Sequence, residues 1–113
     1  MKQQIFLTNA FSLGMLKAGA GALVEFKPVA LSLVREILSK EIWTSAVGHA
    51  DTAAKLTRLL GVQVRENRVN IALTPGVTIF VAQYDGGRLQ EGTRVLPEGS
   101  EFVFWTGEMV TPF

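Results

Sequence analysis

His49 is the only histidine in this 113-residue chain, and it stands in Ser45-Ala46-Val47-Gly48-His49-Ala50-Asp51-Thr52-Ala53. The ordinary pKa of imidazole lies closest to neutral pH, so a single histidine after a glycine is the first place to look for proton transfer. Further residues of matching chemical type follow. Asn67-Arg68 precedes an alternating segment, Gln83 ends another, and Arg88 and Glu91 stand in Gly86-Gly87-Arg88-Leu89-Gln90-Glu91-Gly92. One acid–base group, two cations and a carboxylate beside glycines fit a site that handles a phosphate ester. Each also has a plainer role. His49 can cap a helix or satisfy a core hydrogen bond. Arg88 and Glu91, three apart, can form a solvated ion pair worth about 0–1 kcal/mol. Asn9 and Ser12 are ordinary turn formers.

Composition narrows the field. The length is that of one domain, residues 1–113, with 48% hydrophobic and 19% charged residues, as in an ordinary globular chain. A net charge of +1 provides no basic field of the kind that grips double-stranded DNA, so an anionic ligand must be small or held by a local cluster. Cysteine is absent, which removes disulfides, thiolate metal sites and cysteine nucleophiles. One histidine and no cysteine argue against a zinc site and leave only carboxylate-held magnesium open. Met1-Lys2-Gln3-Gln4 leads into a short apolar run cut by Asn9, which is not a signal pattern, and no apolar stretch has the length of a membrane span. A cytoplasmic protein is expected.

The elements that must position these residues can be read from periodicity. Ile5-Phe6-Leu7 reads as a buried strand closed by Thr8-Asn9, and 11–16 as a turn or a single helical turn. Ala18-Gly19-Ala20-Gly21 is a flexible link that lacks the lysine and spacing of a phosphate loop, and 22–27 reads as a second strand. Residues 29–38 fit a helical stripe (Val29, Leu33, Ile37 with Ala30, Val34, Leu38) and also strand alternation, with periodicity favouring helix. Ser39-Lys40-Glu41 can cap a helix through Ile42, Trp43 and Ala46 to Val47, stopped by Gly48. A second helix follows over 52–60, burying Ala53, Leu56, Leu59 and Leu60, turning Lys55 and Arg58 outward, and ending at Gly61. His49 would then lie between two helices, on the N-terminal side of the second, where free N–H groups favour an anion. Residues 68–73 alternate as a strand with Val69, Ile71 and Leu73 inward. With the turn Thr74-Pro75-Gly76 and a strand over 77–83, they form an expected hairpin. Asp85-Gly86-Gly87 breaks that strand, Pro97-Glu98-Gly99 turns the chain, and 102–105 is a final strand whose aromatics Phe102, Phe104 and Trp105 read as core. The expected fold class is α+β, a mixed sheet of about five strands with two or three helices packed on it.

Taken together, Leu7-Thr8-Asn9-Ala10-Phe11-Ser12-Leu13-Gly14-Met15-Leu16, Ser45-Ala46-Val47-Gly48-His49, Glu66-Asn67-Arg68-Val69, Val81-Ala82-Gln83 and Arg88-Leu89-Gln90-Glu91-Gly92 resemble the type III anti-CRISPR ring-nuclease family. That family occurs in archaeal viruses and phages, with cellular relatives in type III CRISPR loci. The order and spacing of the motifs along nearly the whole chain carry the resemblance. It implies a two-fold homodimer whose central pocket binds cyclic tetra-adenylate, the second messenger of type III CRISPR complexes. It further implies cleavage without metal or cofactor to linear di-adenylate ending in a 2′,3′-cyclic phosphate. Carried onto this chain, the catalytic positions fall on His49, Arg88 and Glu91, and the ligand-lining positions on Asn9, Ser12, Arg68 and Gln83. A second asparagine often follows in the family's first loop, a pattern from which this chain departs with Gly14. For 29–38 the resemblance implies an extended strand in place of the helix, and the expectation follows the resemblance.

The chemistry suits these residues. Metal-free RNA cleavage needs positioning, charge stabilisation on the phosphorane and a proton for the leaving oxygen. Arg88 suits the charge and His49 the proton, while Glu91 either accepts the 2′-hydroxyl proton or orients Arg88 or His49. The rival readings are a non-catalytic protein that sequesters or senses the same ligand, and a structural or DNA-associated viral protein. The titratable His49 disfavours the first, and the missing basic stripe disfavours the second.

Overall fold

Five strands form one sheet in the order β2-β5-β4-β1-β3, with two helices on one face, in a computed structural model that describes residues 4–17, 19, 21–84 and 102–112. The strands are β1 Gln4–Thr8, β2 Ala22–Val29, β3 Thr44–Ala46, β4 Val77–Tyr84 and β5 Phe102–Pro112, and the helices are α1 Leu31–Lys40 and α2 Ala50–Leu60. β1 runs parallel to both its neighbours, β3 and β4, whereas β5 runs antiparallel to β4 and β2. The expected α+β architecture of a five-stranded mixed sheet with two helices is therefore the observed one, although its strands are not all those expected.

Alternation assigns the two faces. Ile5 and Leu7 of β1 join Phe80 and Ala82 of β4 under the helices, where they meet Val34 and Leu38 of α1 and Ala53, Leu56, Leu59 and Leu60 of α2. The other face carries Val77, Ile79 and Val81, covered by Phe11, Met15, Leu16, Ile71 and Leu73. The helices are pinned together by the Arg35 guanidinium, whose Nε donates to the Leu59 carbonyl at 3.2 Å. α2 stops where expected, at Gly61, whose φ of 69° lies in the left-handed region.

Several expectations are corrected. Residues 31–40 are helical with Val34 and Leu38 buried four apart, so the periodicity identified this element and the strand implied by the resemblance ends at Val29. The helix expected through 41–47 is absent. Glu41 leaves α1 in extended conformation (φ −100°, ψ 158°), Ile42 is 83% exposed, and 44–46 pair with β1 as an edge strand. His49 thus follows a strand, not a helix. Residues 68–73 form no strand and no hairpin with β4. Ile71 and Leu73 are buried as the alternation required, but Val69 is 43% exposed and the Leu73 N–H donates to the Met15 carbonyl at 2.8 Å. The alternation here records anchoring against the sheet face, while the places beside β4 are taken by β1 and β5. The final strand runs on to Pro112, well beyond residue 105.

Candidate functional site

The parallel strands β1, β3 and β4 end at one edge of the sheet. Thr8 pairs with Ala46 on one side and Val81 on the other, so Asn9, Gly48 and Gln83 emerge there together. The crevice outside the carboxyl ends of parallel strands is the usual ligand position in sheets of this kind. The connection that carries Arg88 and Glu91 lies outside the described residues. Its flanking residues, Tyr84 and Phe102, are paired at this same edge.

Asn9 is placed by a local turn in which the Thr8 hydroxyl donates to the Ala10 carbonyl at 3.0 Å. Its Oδ1 then accepts the Gly48 N–H at 3.2 Å. Arg68 approaches the same glycine from the other side, its Nε donating to the Gly48 carbonyl at 3.0 Å. Arg68 reaches this point because residues 64–68 lie along the outer edge of β3. Ser45 Oγ donates to the Arg65 carbonyl at 2.6 Å, the Asn67 N–H donates to the Val47 carbonyl at 2.8 Å, and Asn67 Nδ2 donates to the Ser45 carbonyl at 2.7 Å. Both peptide groups of Gly48 are thereby fixed.

His49 follows immediately as the N-cap of α2, extended at φ −132° and ψ 131°, with its carbonyl accepting the Ala53 N–H at 3.0 Å. Its side chain is exposed and makes no capping hydrogen bond. Among the described residues His49 thus caps α2 through its backbone alone, and its exposed side chain satisfies no core group. The imidazole stands at the positive end of a helix with Asp51 in the first turn.

Asn9 and Gln83 also border a cavity of about 430 Å³ on the face away from the helices, walled by Phe11, Phe26, Val81 and Trp105. Of the aromatics read as core, Phe102 and Phe104 are buried under the helices, but Trp105 is half-buried and faces this cavity. Ser12 is not brought to the cluster by any contact. Its Oγ accepts the Gly14 N–H at 3.1 Å and caps the short 3-10 turn Leu13–Met15. Of the residues named from the sequence, Asn9, His49, Arg68 and Gln83 thus lie at one edge of the sheet, and Phe11 and Phe26, which wall the cavity beside them, were not among those named. The signal that could have found Phe26 is Gly107, a glycine inside a strand, which often marks close approach of another group.

Among the described residues no three His, Asp or Glu side chains gather as metal ligands, and no helix is long and apolar enough to cross a membrane.

The sequence pattern of the STIV B116-like family matches residues 5–100. "Uncharacterized protein 26" of Sulfolobus islandicus filamentous virus (isolate Iceland/Hveragerdi) is 33% identical over 112 residues, covering 95% of this chain and 92% of that protein. "Uncharacterized protein ORF116" of Acidianus filamentous virus 1 (isolate United States/Yellowstone) is 27% identical over 104 residues, 92% of this chain and 88% of that one. Among solved structures, B116 of Sulfolobus turreted icosahedral virus aligns with a TM-score of 0.72 at 25% identity, covering 93% of this chain and 98% of B116.

Proposed function

The chain belongs to the STIV B116-like family, and from that premise we propose that it is a ring nuclease that binds cyclic tetra-adenylate and cleaves it without metal, switching off type III CRISPR signalling. The observation that carries this reading is the double grip of Asn9 and Arg68 on Gly48, the residue before His49, whose exposed side chain makes no capping hydrogen bond at the edge where three parallel strands end. A sequestering protein has no need of such an arrangement. The motifs that resemble the ring nucleases include these same residues, and the relatives belong to archaeal viruses, for which destroying a host alarm molecule has direct value.

In the proposed reaction a ribose 2′-hydroxyl attacks its own phosphorus in line. The O2′–P bond forms, the P–O5′ bond breaks, and a 2′,3′-cyclic phosphate is left. His49 as imidazolium gives a proton to the departing 5′-oxygen, and the 2′-hydroxyl proton passes to Glu91 or to solvent. Arg88 supplies forked donors to the phosphorane oxygens, and Arg68 retains its Nη donors for a phosphate while its Nε holds Gly48. Two copies of the chain about a two-fold axis place one His49 at each of two opposite phosphates, giving two cuts and di-adenylate products.

The test is incubation of the purified protein with cyclic tetra-adenylate in excess EDTA, with the products resolved by chromatography. Linear di-adenylate with cyclic phosphate ends is expected. An intact ring recovered from denatured protein would replace this reading with sequestration, and cleavage only after magnesium or manganese is restored would overturn the metal-free mechanism.

A further inference from the structure

Asn67 has no part in the proposed chemistry, yet its hydrogen bonds decide how Arg68 arrives. Ser45 and Val47 lie two apart at β3, so their carbonyls leave the chain at the same edge. β1 fills the opposite edge. Asn67 alone meets both carbonyls. Its backbone N–H donates to Val47 at 2.8 Å, and its side-chain Nδ2 donates to Ser45 at 2.7 Å. The carboxamide thus stands where the backbone N–H of a further strand would stand, and pairing of strand type is confined to Val47 with Glu66.

The chain then turns away at once. The Val69 N–H donates to the Asn67 carbonyl at 3.1 Å, which closes a γ-turn with Arg68 as its central residue. No described residue other than glycine has a positive φ, so this is the inverse form, common at strand ends. From that turn the Arg68 side chain crosses to Gly48, where Nε donates to the carbonyl at 3.0 Å. At its other end the segment is held to α2, since the Val64 N–H donates to Thr57 Oγ1 at 2.9 Å. Residues 64–68 are therefore tied at both ends, and Asn67 is the last fixed point before Arg68.

Asparagine has the shape and the donor that this place requires. Aspartate has the same outline but no N–H to give, and it would set a carboxylate against the Ser45 carbonyl. Alanine would leave that carbonyl to water.

We propose that Asn67 is a positioning residue for the cleavage reaction. By committing its carboxamide to Ser45 it aims Arg68 at Gly48, and through that peptide it governs where His49 and the phosphate stand. It acts through Arg68 and not on the ligand. Its effect on rate rests on the nuclease reading, whereas the aim of Arg68 can be measured without substrate.

The test compares Asn67→Asp, Asn67→Ala and Ser45→Ala with the unaltered chain. The Arg68 Nε–H resonance, identified by its absence in Arg68→Lys, reports the bond to Gly48 through slowed exchange with water. Either Asn67 variant should speed that exchange at least about tenfold. Each should also slow single-turnover cleavage of cyclic tetra-adenylate at least about tenfold. In an Arg68→Ala background, Asn67→Asp should change the rate by less than about twofold, because the two residues act in series. Ser45→Ala removes two hydrogen bonds of the same region but none made by Asn67. It should lower the unfolding temperature and leave exchange and rate within about twofold. Exchange unmoved by the Asn67 variants, equal losses in Ser45→Ala, or an undiminished effect in the Arg68→Ala background overturns the assignment. Faster exchange in Asn67→Asp with a ring that even the unaltered chain leaves uncut would keep Asn67 as the aiming residue and refute the nuclease. A ring cut at the unaltered rate by both Asn67 variants would refute the positioning role and leave the nuclease standing.

Discussion

The side-chain oxygen of Asn9 accepts the Gly48 N–H at 3.2 Å, joining the end of β1 to the residue before His49 across 39 positions of sequence. The bond spans two strand ends, so it acts on the geometry of the site more than on the stability of the fold. Asn9→Ala should cost about 1 kcal/mol of folding stability. It should lower single-turnover cleavage up to roughly a hundredfold, because loss of placement is expensive in a positioned reaction. Thermal unfolding and single-turnover rates measured on the same preparations check both. A variant with a normal rate would show that the Gly48 anchor does not place His49.

His49→Ala should lower cleavage by roughly 10²–10⁴-fold while cyclic tetra-adenylate still binds. The imidazole is exposed and caps nothing, so its removal should leave the unfolding temperature almost unchanged. Rates compared with a direct binding titration separate the two effects. Near-normal cleavage would remove the general-acid role.

A single copy of this chain has one histidine and would serve one phosphate at a time. The protein is therefore expected to be a homodimer in solution, with the ligand across the subunit interface and groups from both chains exposed to screening by salt. Light scattering gives the mass, and binding should weaken as ionic strength rises. A monomer that still cuts the ring at both positions would refute the shared pocket.

Gly61 ends α2 at φ 69°, with open space around its Cα. Gly61→Ala should therefore cost about 1 kcal/mol through backbone strain alone. It lies at the opposite end of α2 from His49, so cleavage should be unaffected. A denaturant midpoint that does not move would mean the helix end relaxes out of the left-handed conformation.

The parts of the fold legible in the sequence were those where one face of an element is buried over several turns. Leu56, Leu59 and Leu60 mark α2, and Val34 with Leu38 marks α1 even against the implied strand. β3 was illegible because three residues are too few to show a period, and because Ile42 and Trp43 supplied a misleading helical stripe. Residues 68–73 misled in the opposite way, since Ile71 and Leu73 are buried against the sheet without joining it. At the site, residue type and motif order led to Asn9, His49, Arg68 and Gln83. The aromatic cavity was hidden because Phe26 and Trp105 stand in strands where outward and inward aromatics look alike.

The Gly48 N–H also decides which way round the Asn9 amide stands, since only its oxygen can accept that proton. Toward a ligand Asn9 then turns its two N–H hydrogens, while its oxygen keeps one lone pair beyond the Gly48 bond. The residue becomes a polarity bias: a phosphate oxygen or an unprotonated ring nitrogen meets two donors, and a hydroxyl or amino group that must donate has to share the oxygen with Gly48. A molecule of the right shape but the wrong hydrogen-bonding sense would have to rotate that amide, releasing Gly48 and with it the placement of His49. The site would then refuse to react with what it had wrongly bound.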